Sequence, residues 1–374
     1  MRVLFINSVC GIGSTGRICT DLAQKYEKEG HTVKIAYGRD SYVPEQFRKY
    51  AVRIGTDIDV RLHVLKTRLF DGHGFGSKKA TKKFLSWLDD YAPDMIWLHN
   101  IHGYYINIEL LFAWIKQHPH IEVKWTLHDC WTFTGHCSHF ITSGCEQWKT
   151  GCVRCIRKRS YPSSWFFSRC DYNYNMKKAL FTGVNKMTIY TPCKWLAGLV
   201  KQSYLAEYPI EVVYNTIDNN IFSRTKSNFR QKHHLDEKII VLGVASIWSK
   251  SKGLFDFIEL AQKIDNRYSI VMVGLNDEQL KMLPPQIIGI KRTNDAKELA
   301  EIYSSADIFF NPTHADTYPT VNLEAQACGT YVITYDVGGA AETIHPNMGV
   351  AIPVGELDAA VCAIKEYCEK IKEK

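Results

Sequence analysis

Val3-Leu4-Phe5-Ile6-Asn7-Ser8-Val9-Cys10-Gly11-Ile12-Gly13-Ser14-Thr15-Gly16-Arg17 opens the chain with an apolar run leading into a glycine loop. The run is too short for a signal peptide and lacks a cleavage site, so it is expected to be a buried first strand. Beyond the loop, Ile18, Leu22 and Tyr26 share one face of a helix, Glu29-Gly30 ends it, and Val33–Tyr37 is a second strand. A strand, a glycine loop, a helix and a strand make the repeating unit of a parallel α/β sheet. The loop fits Gly-x-Gly-x-x-Gly, and Asp40 lies just past the second strand, where a nicotinamide enzyme keeps its ribose-binding acid. An NAD(P)-dependent oxidoreductase is therefore one function class. Glycine loops also admit any phosphate or sugar close to the backbone, so other classes stay open.

The pattern continues for the whole length. Strands Asp94–Leu98, Val123–Leu127 and Thr188–Thr191 run into His99-Asn100-Ile101-His102-Gly103, His128-Asp129 and Pro192-Cys193-Lys194-Trp195. Ligands of open α/β sheets bind at the carboxyl ends of strands, which makes these polar ends candidates. Each histidine there is either functional or a hydrogen-bonded structural imidazole. A polar stretch, Asn219–Lys238, reads as linker and lead-in. A second series follows: strand Ile239–Val244, Lys252-Gly253, helix Leu254–Ile264, strand Ser269–Val273 ending at Gly274, helix Ala296–Ser304 and strand Ile308–Phe310. Strand Tyr331–Thr334 and helix Leu357–Lys372 close it. At 374 residues, two Rossmann-like domains facing each other across a cleft are expected, 1–210 and 211–374.

Between two of those strands stands Ala315-Asp316-Thr317-Tyr318-Pro319-Thr320-Val321-Asn322-Leu323-Glu324. A helix is expected to start near Pro319 or Thr320, with Glu324 about one turn in. Acidic residues near a helix start are ordinarily stabilising surface. Here the free N–H groups of the first turn would also form an anion site between two carboxylates, which suits a ligand bearing both phosphates and hydroxyls.

Hydrophobic residues at 45% and charged residues at 23% describe a globular protein, and no apolar run is long enough to span a bilayer. A cytoplasmic location is expected, with the twelve cysteines mostly reduced or metal-bound. Cys137, Cys145, Cys152 and Cys155 fit a structural Zn²⁺ site in a turn-rich insertion near residues 130–160, the alternative being reduced thiols. Lys149, Arg154, Arg157, Lys158, Arg159, Arg169, Lys177 and Lys178 are interleaved with Trp165, Phe166 and Phe167. That mixture suits an anionic membrane surface, or else a solvated basic face. No nucleic-acid recognition module accompanies it.

With these residues in hand, the chain resembles family-4 retaining glycosyltransferases of the GT-B fold. Gly11–Gly16, His128-Asp129, Thr191–Trp195, Tyr214–Asp218 and Asp316–Glu324 carry the resemblance. Asp71-Gly72-His73-Gly74-Phe75-Gly76-Ser77, Leu98–Gly103 and Trp125-Thr126-Leu127-His128-Asp129-Cys130-Trp131 look closer still to the colanic acid and exopolysaccharide subgroup. The resemblance implies a metal-independent hexosyltransferase that uses a nucleotide-diphosphate sugar. The implied acceptor is a saccharide, and the basic-aromatic stretch suggests docking at the inner face of the cell membrane on a lipid-linked one. The resemblance assigns Glu324 to the ribose, Asp316 and His128 to the donor sugar and reacting centre, and Lys252 with Lys250 to the diphosphate. Tyr318, Pro319, Thr320, Val321 and Gly274 complete the donor side, and Gly13 and Gly16 the closing loop. Arg17, His99, Asn100, His102 and Asp129 fall on the acceptor side.

The sequence departs from the family in four places. Asp316 replaces the usual Glu, the Arg usual before Lys-Gly is absent, and Thr216 stands where the linker motif has Gly. Many relatives also continue past the position of helix Leu357–Lys372. A non-catalytic sugar-binding relative is the remaining alternative.

Overall fold

The computed structural model describes residues 1–372, which fall into two units, Met1–Tyr214 and Asn215–Lys374. The first unit is built on one seven-stranded sheet. Its strands are β1 (Arg2–Ile6), β2 (Thr32–Tyr37), β3 (Ala51–Arg53), β4 (Met95–Leu98), β5 (Glu122–Thr126), β6 (Met187–Thr191) and β7 (Ile210–Val212). Their helices are α1 (Gly13–Lys28), α2 (Asp57–Phe70), α3 (Lys78–Tyr91), α4 (Ile108–Gln117), α5 (Cys170–Phe181) and α6 (Lys194–Val200). The strand order is β3-β2-β1-β4-β5-β6-β7, parallel throughout. Val3, Leu4, Phe5 and Ile6 are all fully buried, because a parallel strand is covered by helices on both faces.

The second unit repeats the design with β8 (Ile239–Val244), β9 (Tyr268–Val273), β10 (Ile287–Ile290), β11 (Ile308–Asn311), β12 (Tyr331–Tyr335) and β13 (Gly349–Ile352). Its helices are α7 (Phe229–Lys232), α8 (Leu254–Lys263), α9 (Asp277–Met282), α10 (Ala296–Ser305), α11 (Thr320–Ala327) and α12 (Leu357–Lys372). The order β10-β9-β8-β11-β12-β13 is again all parallel. Both sheets therefore reverse their strand order once, between β1 and β4 and between β8 and β11. Such reversals open a crevice at the carboxyl ends of the strands.

Two expectations need correction. The stretch expected to be linker, Asn219–Lys238, supplies Phe222, Phe229 and Leu235 to the core of the second unit. These apolar side chains bury themselves between charged neighbours, which hid them from composition. The glycine loop is also shorter than expected, since α1 begins at Gly13 and already contains Gly16 and Arg17. A Cβ on Gly16 would sit 3.2 Å from the Gly11 nitrogen, so the first helical turn packs directly on the loop.

Helix α11 is fixed from inside by amides. Asn322 Oδ1 accepts a hydrogen bond from Asn311 Nδ2, and Asn322 Nδ2 donates to Thr343 Oγ1, both at 2.8 Å. One turn on, Gln326 Nε2 donates to the carbonyls of Asn322 and Thr343, and its Oε1 accepts from the His345 N–H. These side chains are buried, so each depends on its partner for a hydrogen bond. Asn322→Leu strands the Asn311 amide and removes the donor to the Thr343 hydroxyl, which keeps its bond to the Ala340 carbonyl. It is expected to cost about 2–3 kcal/mol, read as a lower urea midpoint. An unchanged midpoint would remove the network from the account of the fold.

Candidate functional site

In the second unit, the chain leaving β8 meets the chain leaving β11 at the crevice. Gly253 has φ +78°, and a Cβ there would lie 2.4 Å from the Pro312 carbonyl oxygen. Only glycine lets the Lys252-Gly253 turn come this close. The Ser251 carbonyl accepts the His314 N–H at 2.8 Å, and Lys252 Nζ lies 2.5 Å from Asp316 Oδ2. That pair is partly exposed, at 38% and 21% of the two side chains. Asp256, in the first turn of α8, accepts from the Tyr335 hydroxyl at 2.8 Å and lies 3.1 Å from His314 Nε2. The loop bearing Asp316 is thus tied to α8 and β12 at fixed points.

Helix α11 starts at Thr320 with Pro319 as its N-cap residue, as the sequence suggests, and Pro319 makes no side-chain capping bond. The N–H groups of that first turn carry the positive end of the helix dipole. Glu324 stands one turn in and is buried, its Oε2 accepting from the Tyr303 hydroxyl at 3.3 Å. Tyr318 and Pro319 are buried beside it, and Thr320 and Val321 are partly exposed. At the end of β9, Gly274 has φ +98°, and a Cβ there would overlap the Ala245 oxygen at 1.7 Å. Lys250 is exposed.

In the first unit, the crevice between β1 and β4 is bridged by Asn7. Its Oδ1 accepts the Asn100 N–H at 3.2 Å, and its Nδ2 donates to the Val9 carbonyl beside the glycine loop. His99 and His128 stack with ring centres 5.3 Å apart, and His99 Nδ1 lies 3.0 Å from His128 Nε2. His102 Nε2 lies 3.0 Å from Asp129 Oδ2, with the Tyr161 hydroxyl 3.4 Å from His102 Nδ1. The expected His99, Asn100, His102, His128 and Asp129 therefore gather at the ends of two neighbouring strands. Gly13 and Arg17 are exposed on α1.

Burial pushes His128 down to about 4, against the pull of Asp129, and holds His99 well below the usual range with help from His128. Burial pushes the Asp129 carboxyl up, but the charge and hydrogen bond of His102 outweigh it, leaving it at about 2.

The expected zinc site is not assembled. Among the described residues no group of three or more His, Cys, Asp and Glu side chains is arranged to hold a metal ion. The thiols of Cys137, Cys145, Cys152 and Cys155 are free of disulfides. Cys137 and Cys155 hydrogen-bond each other, and Cys152 accepts the Gly135 N–H at 3.2 Å. The loop is ordered instead by buried aromatics, Trp131, Phe133, Phe140 and Trp148, and by a buried pair, His136 Nδ1 to Asp71 Oδ1 at 2.6 Å.

Sequence reasoning overlooked Asn7, Tyr161, Asp256, His314 and Tyr335. Asn7 ends an apolar strand and offered a signal. Asp256 offered none, because its partners lie 58 and 79 residues away.

Comparison with known proteins fits this geometry. Residues 225–373 match the family described as glycosyl transferases group 1. The chain is 28% identical over 171 residues to WcaC of Escherichia coli, named as a colanic acid biosynthesis glycosyl transferase, covering 43% of this chain and 41% of that protein. It is 29% identical over 126 residues to an N,N'-diacetylbacillosaminyl-diphospho-undecaprenol alpha-1,3-N-acetylgalactosaminyltransferase of Campylobacter jejuni, covering 33% of each. The aligned part thus spans about two fifths and one third of those relatives. Among solved structures, sucrose-phosphate synthase of Thermosynechococcus elongatus superposes with a TM-score of 0.73 at 15% identity, over 98% of this chain and 90% of that one. HepE of Anabaena, in complex with UDP, gives 0.68 at 14%, over 99% and 91%. At such identities the likeness establishes the fold.

The buried histidines make stability sensitive to acid. A folded-state value of about 4 for His128, against about 6.5 when unfolded, means its contribution is complete above about pH 6.5 and lost as pH falls toward 4. Asp129, at about 2 against an ordinary 3.8, adds stability that is lost only between about pH 4 and 2. His128→Gln is expected to flatten the fall of unfolding free energy between pH 6.5 and 4 by up to ~1.4 kcal/mol per pH unit. Urea titrations at several pH values check this, and an unaltered slope would contradict it.

Proposed function

Because residues 225–373 match the glycosyl transferases group 1, we propose that this chain is a retaining glycosyltransferase. It moves a hexose from a nucleotide-diphosphate sugar to a lipid-linked saccharide acceptor in surface polysaccharide assembly. One observation carries the assignment: Lys252, Asp316, the start of α11 and Glu324 converge at the crevice of the second sheet. A cation and a helix N-terminus suit the charge that grows on a departing diphosphate, and carboxylates on either side suit hydroxyls. Glu324 is assigned to the ribose and Asp316 to the sugar. Tyr318, Pro319, Thr320 and Val321 supply the backbone around the diphosphate, with Gly274 and Lys250 at its margin. Lys252 and Asp316 hold each other in the absence of donor. The diphosphate takes the lysine, and the freed carboxylate turns to the sugar hydroxyls.

In the first unit, His128 with His99 behind it is assigned to the donor sugar. Gly13 and Gly16 are assigned to the loop against the phosphate. Arg17, Asn100, His102 and Asp129 are assigned to the acceptor. In a front-face route the acceptor hydroxyl bonds to the anomeric carbon as the bond to the diphosphate breaks, and the leaving phosphate oxygen takes the hydroxyl proton. Configuration is retained, and the charge is met by Lys252 and α11 without a catalytic metal. The Campylobacter relative, whose name carries a diphospho-undecaprenol group, supports a lipid-linked acceptor. Peripheral work at the inner face of the cell membrane follows from such an acceptor.

Two alternatives meet the same test. For an oxidoreductase, Asp40 would have to serve a ribose, yet its carboxylate accepts the Tyr42 N–H in a turn. Thermal-shift measurements with UDP, GDP, ADP and NAD are expected to show a response to a nucleoside diphosphate and none to NAD. Release of nucleotide from a sugar donor distinguishes an enzyme from a sugar-binding relative. Lys252→Ala and Glu324→Ala should each lower turnover by about 10²–10³-fold with the fold intact by circular dichroism. Full activity in both variants would overturn the assignment.

A further inference from the structure

Helix α2 is turned inside out. His63 and Thr67, polar residues, face the protein and are buried, whereas Ile58, Leu62 and Leu65 are 68%, 60% and 48% exposed. Positions i, i+4 and i+7 fall on one stripe of a helix, so these three aliphatic side chains form a continuous apolar ridge on the outer surface. A helix of a water-soluble unit ordinarily does the reverse, and contiguous exposed apolar surface marks a contact.

The ridge does not end with the helix. Phe70, at the last position of α2, stacks on Phe167 with ring centres 6.1 Å apart and planes 11° from parallel. The segment Ser163–Phe167 is strapped to the end of α2. The Trp165 N–H donates to the Arg68 carbonyl at 2.7 Å, and Arg68 Nη1 donates to the Ser163 carbonyl at 3.1 Å. This strapping holds Trp165, Phe166 and Phe167 outward at 54%, 64% and 58% exposure. Nothing about the tie requires the aromatics to be exposed, since their side chains take no part in these hydrogen bonds.

Cations frame the same surface. From Val153 to Arg169 the sequence carries Arg154, Arg157, Lys158, Arg159 and Arg169 and no carboxylate. Arg61 is exposed on α2, and Lys78, Lys79, Lys82 and Lys83 are exposed on the first turns of α3. Burial, and then the charges of Lys78 and Arg169, push the Lys66 ammonium below its usual range, so the cations of α2, α3 and the loop act on one another. The acids of α2 are confined to its first turn, where Asp57 pairs with Arg53 and Asp59 closes the capping box with Thr56. An apolar ridge with exposed Trp and Phe, flanked by Lys and Arg, matches the boundary between acyl chains and anionic headgroups. Among the described residues no helix is long and apolar enough to cross a membrane.

We propose that the outer face of α2 and the aromatic segment Trp165–Phe167 together dock this protein on an anionic lipid bilayer, lying in the interface rather than spanning it. The proposal gives the lipid-linked acceptor of the proposed function its physical location, and it rests on that reading for its purpose.

The test is flotation of the full chain with vesicles of equal parts phosphatidylglycerol and phosphatidylcholine, or of phosphatidylcholine alone, at low and physiological salt. The wild type is expected to bind the anionic vesicles at least tenfold better than the neutral ones. Leu62→Glu with Leu65→Glu, and separately Trp165→Glu with Phe166→Glu, should each reduce that binding at least tenfold. All four positions are exposed, so thermal stability and the response to nucleotide should stay as in the wild type. No flotation at either salt, or binding that both double variants retain, would overturn the docking surface. So would a dimer in light scattering that Leu62→Glu with Leu65→Glu dissociates while vesicles are ignored, which would make the occupant a second copy. Vesicle binding without any nucleotide response would sink the transferase assignment and leave the docking surface standing.

Discussion

The buried amides of Asn311, Asn322 and Gln326 are the constraint on which the second unit depends. A helix end offers N–H groups to a ligand only if the helix cannot slide or turn, and satisfied buried polar networks add directional constraints to close apolar packing. Amide side chains with defined partners supply them. Asn322 ties α11 to the end of β11 on one side and to Thr343 on the other. Lys252, Asp316 and Glu324 stand where they do because the strand ends and this helix share one buried polar frame.

The two units solve the same geometric problem with different chemistry. Each has a crevice where the strand order reverses, and in each one strand end is linked to the next across it. In the first unit the link is neutral, Asn7 to the Asn100 backbone, with uncharged histidines nearby. In the second it is ionic, Lys252 to Asp316. An amide link depends on direction, and an ionic one answers to charge.

Much of this architecture was legible in the sequence, and the failures have physical causes. Central strands such as Val3–Ile6 and Ile239–Val244 read clearly because burial on both faces leaves an unbroken apolar run. The edge strands Ala51–Arg53 and Gly349–Ile352 are short and partly exposed, so they carry little pattern. Helix α2 was invisible because its apolar residues face outward and its buried face is polar. At the candidate sites, polar residues after strands pointed to His99, His102, His128 and Asp129, since topology alone brings such ends together. Asp256 and Asn7 act on partners distant in sequence, which no local pattern encodes. The cysteines mislead for a related reason: spacing counts thiols but says nothing of where they point.

The Lys252–Asp316 pair has a further consequence for what the crevice attracts. A lone lysine beside a helix N-terminus would be bait for every small anion in solution, inorganic phosphate included. With its charge already balanced by a carboxylate at 2.5 Å, the crevice presents little net field to a passing ion. Displacing Asp316 leaves a carboxylate that needs new donors, and a bare anion brings none. A ligand carrying an anion and hydroxyls at the right separation satisfies both halves at once. Under the proposed function, the pair would act as a filter, discriminating by the number of functions a molecule brings rather than by its charge.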